Sequence, residues 1–303
     1  MKPKWISLLL LAAVVFVLAA CETLQPVVDM GATLGVASGT ITQSQADSIA
    51  RGAKAVGKTF EDITPEQEYF IGRAVAASVL YQYRPYDQAE LDHYVNVLGQ
   101  TLAQASNRPQ TFGGYHFQVI DSPEINAFAA PGGLILVTRG MLRCCKSEDA
   151  LAAVLAHEIA HVQNQDGLRA IKTSRLTSAL TIIAAEGAKQ YGGQELAQLT
   201  QAFEGSVSDV VNTLVTNGYS RELERQADED AITILKRVGY NPYALVDMLT
   251  VMKTQLKPGG AGFGKTHPDP QERISAIQSL AGKPGKTPPP ARHARFERAL
   301  GAV

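Results

Sequence analysis

The spacing of apolar residues predicts that helices dominate the body of the chain. Between Asp87 and about Ser106 apolar residues recur every three or four positions, as they do on the buried face of a helix. Further helices are expected after Thr64, Ser147 and Ser220, since each of these residues can cap a helix by accepting a backbone hydrogen bond. The folded body is expected to begin at the first of these caps.

Short apolar runs between the helices predict strands. They are Tyr115 to Ile120, Ile125 to Ala130 and Leu134 to Thr138, and proline and glycine turns separate them. Closely spaced runs of this kind are typical of a small antiparallel sheet. The expected fold class is therefore α+β: one mostly helical domain with a small antiparallel sheet beside the helix that follows Ser147.

The N-terminus carries a different pattern, an unbroken apolar run from Ile6 to Ala20. The run follows two lysines and is too short to span a bilayer, so it predicts a signal peptide over residues 1–20. Leu18-Ala19-Ala20-Cys21 resembles the lipobox of bacterial lipoproteins, and we expect Cys21 to carry a lipid anchor. Glu22, where an aspartate would indicate inner-membrane retention, predicts an outer-membrane lipoprotein facing the periplasm. The alternative is a plain signal peptide followed by a chance cysteine.

Composition divides the rest of the chain into three parts. Residues 21–63 are rich in Gly, Ala, Ser and Thr and are expected to form a tether that starts at the lipidated cysteine. Residues 64–281 contain the periodic segments and are expected to form the functional domain. Residues 282–303 form a Pro- and Arg-rich tail.

The overall composition is that of an ordinary globular protein. Of the 303 residues, 45% are hydrophobic and 19% are charged, and the formal net charge is −1. Basic residues are scattered along the chain, so no positive surface is predicted that could bind a phosphate backbone. Nucleic acid is therefore not an expected partner.

The helix after Ser147 contains the segment His157-Glu158-Ile159-Ala160-His161. Histidines four positions apart lie on one helical face, where both imidazoles can bind one tetrahedral zinc ion. Glu158 projects about 100° to the side of that face. Its carboxylate is placed to take a proton from an attacking water and to pass it to a leaving amine. The segment predicts a zinc-dependent hydrolase.

A third zinc ligand is expected in the helix after Ser220. Glu224 and Asp228 are also four positions apart there, so one helical face can offer a metal ligand and a carboxylate that holds a liganding imidazole. Glu222 is expected to face away. Taken alone, the segment also fits an exposed helix rich in charges.

The motifs together resemble a known family, the HtpX-like and CAAX-prenyl-endopeptidase-like gluzincin metallopeptidases. The resemblance covers roughly Thr64 to Leu280. It rests on Asn126-Ala127-Phe128 with Pro131-Gly132-Gly133, on His157 to His161, on Ser220-Arg221 through Glu224 to Ala227-Asp228, and on His267-Pro268 with Arg273. The family pattern departs at Asp166, where many members have a histidine.

The resemblance implies a role for each matching residue. His157, His161 and Glu224 are the implied ligands of one zinc ion, Glu158 is the implied general base, and Asp228 is either an outer support for a ligand or a proton donor. Residues 126–133 are implied to form the strand and turn beside the cleft. The implied substrate-binding residues are Asn126, Ala127, Phe128, Gly132 and Gly133, and ordinary turn chemistry is the alternative for Asn126 and the glycines.

Two residues keep alternative roles. The resemblance implies that His267 lies near the metal and can cap its open position, which would make the enzyme latent, whereas a plain loop histidine is the alternative. Arg221 can pair with Asp228 or stabilise an oxyanion.

These observations favour a zinc metalloendopeptidase that cuts unfolded or misassembled envelope proteins. Its expected partners are polypeptide substrates and, through the lipid anchor, a membrane; the sequence does not indicate an oligomeric state. The alternative is a lipoprotein chaperone or assembly factor with a latent or structural zinc site.

Overall fold

The computed structural model describes residues 64–169, 207–256, 263–285, 288–301 and 303. All of these residues fall in one of the two compact units into which the chain divides. The predicted signal peptide, the lipid attachment at Cys21 and the tether to residue 63 lie outside the described residues. Within the described part, no helix is both long and apolar enough to cross a bilayer.

Helices account for most of the described residues, and the α+β class is confirmed. Two predicted caps begin helices, since the hydroxyl of Ser147 accepts a hydrogen bond from the amide of Ala150 and the hydroxyl of Ser220 accepts one from Leu223. The helices are α1 Pro65–Gln82, α2 Ala89–Ala103, α3 Arg139–Cys144, α4 Glu148–Gln163, α5 Arg221–Val238, α6 Ala244–Gln255, α7 Phe263–Thr266, α8 Pro270–Ala281 and α9 Pro290–Leu300. A π-helical turn at Thr213–Asn217 precedes α5.

The predicted strands form one sheet. They are β1 His116–Ile120, β2 Ala127–Ala130 and β3 Leu134–Thr138, in the order β1-β3-β2. The turn Pro131–Gly133 joins β2 and β3 as an antiparallel hairpin. However, β1 and β3 are parallel, so the antiparallel prediction is wrong for this pair and the sheet is mixed. The reason is topological: after β1 the chain passes beyond the position of β3 to form β2, and no local pattern in the sequence reports that crossing.

The sheet lies between two apolar clusters. Phe128 of β2 packs in a cluster with residues of α1 and of the 207–215 segment. Its neighbours Ala127 and Ala129 point to the opposite face, into a cluster with α2 and α4. Strand β2 is at the edge of the sheet and packs against α4. An edge strand is thus brought beside the helix that carries the two histidines.

Helix α4 is the central helix of the domain. Every residue from Glu148 to Val162 is buried. Helix α4 packs against α2, α5, α6 and the sheet. A helix enclosed on all sides carries its polar residues into the interior, where they need partners or a ligand.

The Pro- and Arg-rich tail contains helix α9, which packs on α2 and α4. Phe296 is buried in the main apolar cluster. Arg292 and Arg295 of this helix form ion pairs with Asp149 and Glu148, the first acidic residues of α4. The tail is therefore fastened to the start of the central helix.

Candidate metal centre and active site

The side chains of His157, His161 and Glu224 meet between α4 and α5. The Nε2 atoms of the two histidines are 3.2 Å apart. His157 Nε2 lies 3.5 Å from Glu224 Oε2, and His161 Nε2 lies 3.6 Å from Glu224 Oε1. All three side chains are buried, so the two helices enclose a compact group of nitrogen and oxygen donors.

These separations fit a zinc ion. Tetrahedral zinc with bonds of about 2.0 to 2.2 Å places its ligand atoms about 3.3 to 3.6 Å from one another. Glu224 Oε1 is buried and has no hydrogen-bond partner among the described residues, as expected of an atom reserved for a cation. The donor set of two imidazoles and one carboxylate is also the one found in catalytic zinc sites of metallopeptidases.

The charges around the donors favour a cation as well. Four buried carboxylates lie at or next to the cluster. They belong to Glu158, Asp166, Glu224 and Asp228. In the described part of the chain, Arg273 is the one buried side chain with a permanent positive charge. Although burial and Arg273 oppose protonation, hydrogen bonds to Asp228 and Glu224 raise the pKa of His157 to about 9. The protein groups alone therefore attract positive charge to this point.

Each histidine is held by an aspartate through its other ring nitrogen. His157 Nδ1 lies 3.0 Å from Asp228 Oδ1, and His161 Nδ1 lies 2.8 Å from Asp166 Oδ2. A carboxylate at Nδ1 favours the proton on that nitrogen and leaves Nε2 as the metal ligand. The two aspartates thus direct both Nε2 atoms toward the same point.

Asp228 is buried in contact with both Arg273 and His157. Burial opposes its ionisation, but Arg273 and His157 lower the pKa of Asp228 to about 2. These contacts are the ones that the outer-support role requires, while the proton-donor role stays a prediction.

The departure of Asp166 from the family pattern makes a role for this residue at the metal site doubtful from the sequence, and the structure corrects this expectation. The helix stops at Gln163, and Gln165 adopts a left-handed conformation with φ 55°. This turn brings Asp166 back to His161, where its side chain is fully buried. An acidic residue shortly after the second histidine was the available signal.

The predicted partners of Arg221 are not its partners in the structure. Its side chain is 80% exposed and pairs with Glu272 at 3.2 Å. The guanidinium that binds Asp228 belongs to Arg273 of α8, with contacts of 2.6 and 2.9 Å. Arg221 and Asp228 share a face of α5 but are two turns apart, about 10 Å along the axis, which is too far for an ion pair.

Glu158 lies beside the donor cluster, and its Oε1 atom is buried without a partner among the described residues. It lines a cavity of about 10 Å³, which is room for about one water molecule. We call this the cleft cavity. Its other lining residues are Ala127, Phe128, Ala129, Thr213, Leu214, Gly218, Tyr219, Thr266 and His267.

The predicted substrate-binding residues separate into two groups. Ala127 and Phe128 line the cleft cavity, whereas Asn126 uses its side-chain oxygen to accept the amide of Ala127 at 3.0 Å. Gly132 and Gly133 have φ values of 78° and 99°, a conformation that other residues rarely adopt. The glycines are not among the residues that line the cavity, and their role in substrate binding stays a prediction beside the alternative of turn chemistry.

His267 lies at the donor cluster. Its Nδ1 atom is 2.8 Å from Glu224 Oε2, and its ring stacks on Phe263 with a centroid distance of 3.8 Å. His157, His161, Glu224 and His267 each offer an atom within 4.8 Å of the others. Burial lowers the pKa of His267, which favours the neutral form that can bind a metal.

Comparison with known proteins identifies related peptidases. The family model described as Peptidase family M48 matches residues 89–281. The beta-barrel assembly-enhancing protease of Escherichia coli (strain K12) is 30% identical over 199 residues, which are 63% of this chain and 39% of that protein. The chain thus spans well under half the length of this relative.

Two further relatives have other names. The mitochondrial metalloendopeptidase OMA1 of Schizosaccharomyces pombe is 31% identical over 167 residues, covering 54% of this chain and 46% of the relative. A protease HtpX homolog of Salinibacter ruber is 26% identical over 192 residues, covering 54% of this chain and 67% of the relative. All of these names denote peptidases.

Proposed function

The chain belongs to peptidase family M48, and from that premise we propose that it is a zinc endopeptidase that cuts unfolded or misassembled proteins of the cell envelope. Membership makes it a metallopeptidase, a hydrolase of peptide bonds. The proposal adds the metal, the roles of the residues, the class of substrate and the location. The observation that carries it is the buried donor cluster with Glu158 beside it.

In this proposal, His157, His161 and Glu224 hold the zinc ion. The supporting observations are the separations of 3.2, 3.5 and 3.6 Å between their donor atoms and the unpaired Oε1 of Glu224. A zinc ion bound there would polarise the substrate carbonyl and make a bound water more acidic. Asp166 and Asp228 orient the two imidazoles and keep their Nε2 atoms unprotonated.

Glu158 acts as the general base. Its carboxylate takes a proton from the attacking water as the new oxygen–carbon bond forms, and passes the proton to the nitrogen as the carbon–nitrogen bond breaks. Its buried and unpaired Oε1 atom supports this role, because no hydrogen bond within the described residues has to break first. Glu158 ends the cycle ionised, as it began.

The substrate is an extended segment of polypeptide. Strand β2 supports this, since it is the edge of the sheet and its residues Ala127 and Phe128 line the cleft cavity with Glu158. An extended chain that pairs with an edge strand presents its peptide bonds in a fixed register. Only an unfolded or misassembled protein offers such a segment readily.

We place the enzyme on the periplasmic side of the outer membrane, anchored by a lipid on Cys21, with residues 64–281 as the peptidase domain. The lipobox-like residues support the anchor, and the resemblance to a beta-barrel assembly-enhancing protease supports an envelope role. Misassembled envelope proteins are the clients that fit this location.

We further propose that His267 caps the metal in a resting form. Its Nδ1 contact of 2.8 Å with Glu224 supports a position where it competes with substrate. Replacing His267 by Ala should then raise the cleavage rate several-fold, while the replacement of exposed His293, the matched control, should not. An equal or lower rate in His267→Ala with unchanged zinc content would contradict the capping role.

The same contact favours a second candidate function. If His267 remains on the cluster, the protein would work as a chaperone or assembly factor with a latent or structural zinc. Cleavage separates the two: purified protein is loaded with zinc and mixed with an unfolded protein, alongside Glu158→Gln with the same zinc content. Cleavage by the wild type alone supports the peptidase, whereas cleavage by neither, even with His267→Ala, supports the second function.

A further inference from the structure

Three buried oxygen atoms around the cleft cavity have no hydrogen-bond partner among the described residues. They are Glu158 Oε1, Tyr219 Oη and Thr266 Oγ1, and all three residues line this one cavity. Buried polar atoms are almost always paired in folded proteins, because an unpaired one loses its hydrogen bonds to water without replacement. Three such atoms on residues that line one water-sized cavity indicate a site for a polar group.

Tyr219 is held rigidly beside the metal ligands. Its ring stacks on that of His161, with a centroid distance of 4.5 Å and an interplanar angle of 30°. It immediately precedes Ser220, the residue that caps α5. Its hydroxyl lies beside Gly167, where an added Cβ atom would be 3.5 Å away. The stacking on His161 and the approach of Gly167 to the hydroxyl therefore position the phenol.

The backbone around Gly218 fixes Tyr219 relative to Thr266. A Cβ atom on Gly218 would lie 2.0 Å from the carbonyl oxygen of Thr266, and Gly218 has φ 74°. Only glycine fits this approach in this conformation. The backbone segments around Tyr219 and Thr266 are therefore in close contact beside the cavity.

We propose that Tyr219 is a catalytic residue whose hydroxyl donates a hydrogen bond to the carbonyl oxygen of the peptide bond being cut. This rests on the peptidase function proposed above. Negative charge develops on that oxygen when water adds to the carbonyl carbon, and a buried donor already in place stabilises it. Tyr219 keeps its proton throughout, because the proton of the water travels through Glu158 to the leaving nitrogen.

Other polar groups fit this role less well. A phenol is a stronger hydrogen-bond donor than the aliphatic hydroxyl of Thr266. Burial and the nearby carboxylates of Asp166 and Glu158 raise the pKa of Tyr219, so its hydroxyl keeps the proton that it donates.

One nitrogen of Arg273 has no hydrogen-bond partner among the described residues and lies 3.9 Å from Glu224 Oε2. However, the guanidinium is bound to Asp228, and Arg273 does not line the cleft cavity. Residues of β2 line the same cavity, so a strand bound there brings its carbonyl groups toward Tyr219.

The test is Tyr219→Phe, which keeps the ring on His161 and removes only the hydroxyl. We expect kcat for an unfolded protein substrate to fall by about 10²- to 10³-fold, as for the loss of one oxyanion donor. KM and zinc content should stay at the wild-type values. The melting temperature should not fall, because the lost hydroxyl had no partner to stabilise.

The matched control is Tyr240→Phe. The hydroxyl of Tyr240 donates to Glu148 Oε1 at 2.7 Å, so its loss should lower the melting temperature and leave kcat unchanged. A wild-type kcat in Tyr219→Phe would overturn the inference, and so would a fall in its melting temperature like that of Tyr240→Phe. If the wild type itself cleaves nothing, the peptidase function fails, and the two melting temperatures still decide whether the Tyr219 hydroxyl is structurally paired.

Discussion

Two buried glutamates, one at the start and one in the middle of helix α4, differ in their hydrogen bonding. Glu148 in the first turn accepts hydrogen bonds from Tyr94 at 3.0 Å and Tyr240 at 2.7 Å, and it forms two contacts with Arg295. Glu158, ten positions later, is equally buried and has an oxygen with no partner among the described residues. A glutamate of this helix thus has several hydrogen-bond partners at the start of the helix, and another has an oxygen without a partner among the described residues in the middle.

The neighbours of the two glutamates repeat the contrast. Asp149 is bound by Arg292 and by the backbone amide of Asn241, and Arg292 also lies over the ring of Tyr240. Beside Glu158, by contrast, Glu224 and Arg273 each have a buried atom without a hydrogen-bond partner among the described residues.

The difference separates stability from function. A fully paired polar cluster holds elements together, and at the start of α4 it joins α2, the loop between α5 and α6, and the tail helix α9 to the central helix. An unpaired buried cluster costs stability and persists where a ligand or substrate completes it. Substitutions at the start of α4 should therefore change the stability, and substitutions around its middle should change zinc binding or cleavage.

The largest effect is expected from Glu224→Gln, at the donor cluster beside the middle of α4. The loss of a charged ligand should weaken zinc binding by more than the roughly 10- to 100-fold that the loss of an outer hydrogen bond causes. Titration of zinc against a competing chelator measures this. Glu222→Gln is the control, since the side chain of Glu222 is 72% exposed and pairs with Arg225. Equal zinc affinity in the two variants would contradict the ligand role.

A smaller effect is expected from Asp166→Asn, which keeps the shape of the side chain and removes its charge. Zinc affinity should fall by about 10- to 100-fold, because His161 loses the carboxylate that fixes its tautomer. Asp230→Asn is a suitable control on α5, since Asp230 contacts Asn164 and Gln226 and no ligand. If Asp166→Asn binds zinc as tightly as this control, the outer support of His161 is wrong.

The smallest change is expected from Arg295→Ala, at the paired cluster at the start of α4. The free energy of unfolding should fall by about 1 to 3 kcal/mol, because Glu148 stays buried with one charged partner fewer. The partly exposed position of Arg295 and the remaining tyrosines keep the loss at the lower end of this range. Zinc affinity and the cleavage rate should not change. Denaturant unfolding checks this against Arg298→Ala on the exposed face of the same helix.

Local signals in the sequence account for what could be predicted. Ser147 and Ser220 set the starts of α4 and α5 through hydrogen bonds from backbone amides to their side chains, and each helix begins at the next residue. The helical spacing of His157 and His161 places them on one face, and the structure brings them together with Glu224.

Contacts between distant parts of the chain could not be predicted in this way. The parallel pairing of β1 with β3 depends on the path of the chain between strands. Arg273 replaces Arg221 as the partner of Asp228 because α8 packs against α5, and no spacing in the sequence reports that packing. The tail likewise reads as Pro- and Arg-rich sequence, and its role appears only in the pairing of Arg295 with Glu148.

One matched pair of variants tests the contrast most directly: Glu148→Gln and Glu158→Gln, each with zinc bound, compared for the free energy of unfolding and the rate of cleavage of an unfolded protein. The account predicts that Glu158→Gln loses about 10²- to 10⁴-fold in rate with unchanged or higher stability. Glu148→Gln should lose about 1 to 3 kcal/mol of stability and keep its rate. If Glu158→Gln cleaves at the wild-type rate, or if both variants lose stability alike, the account is contradicted.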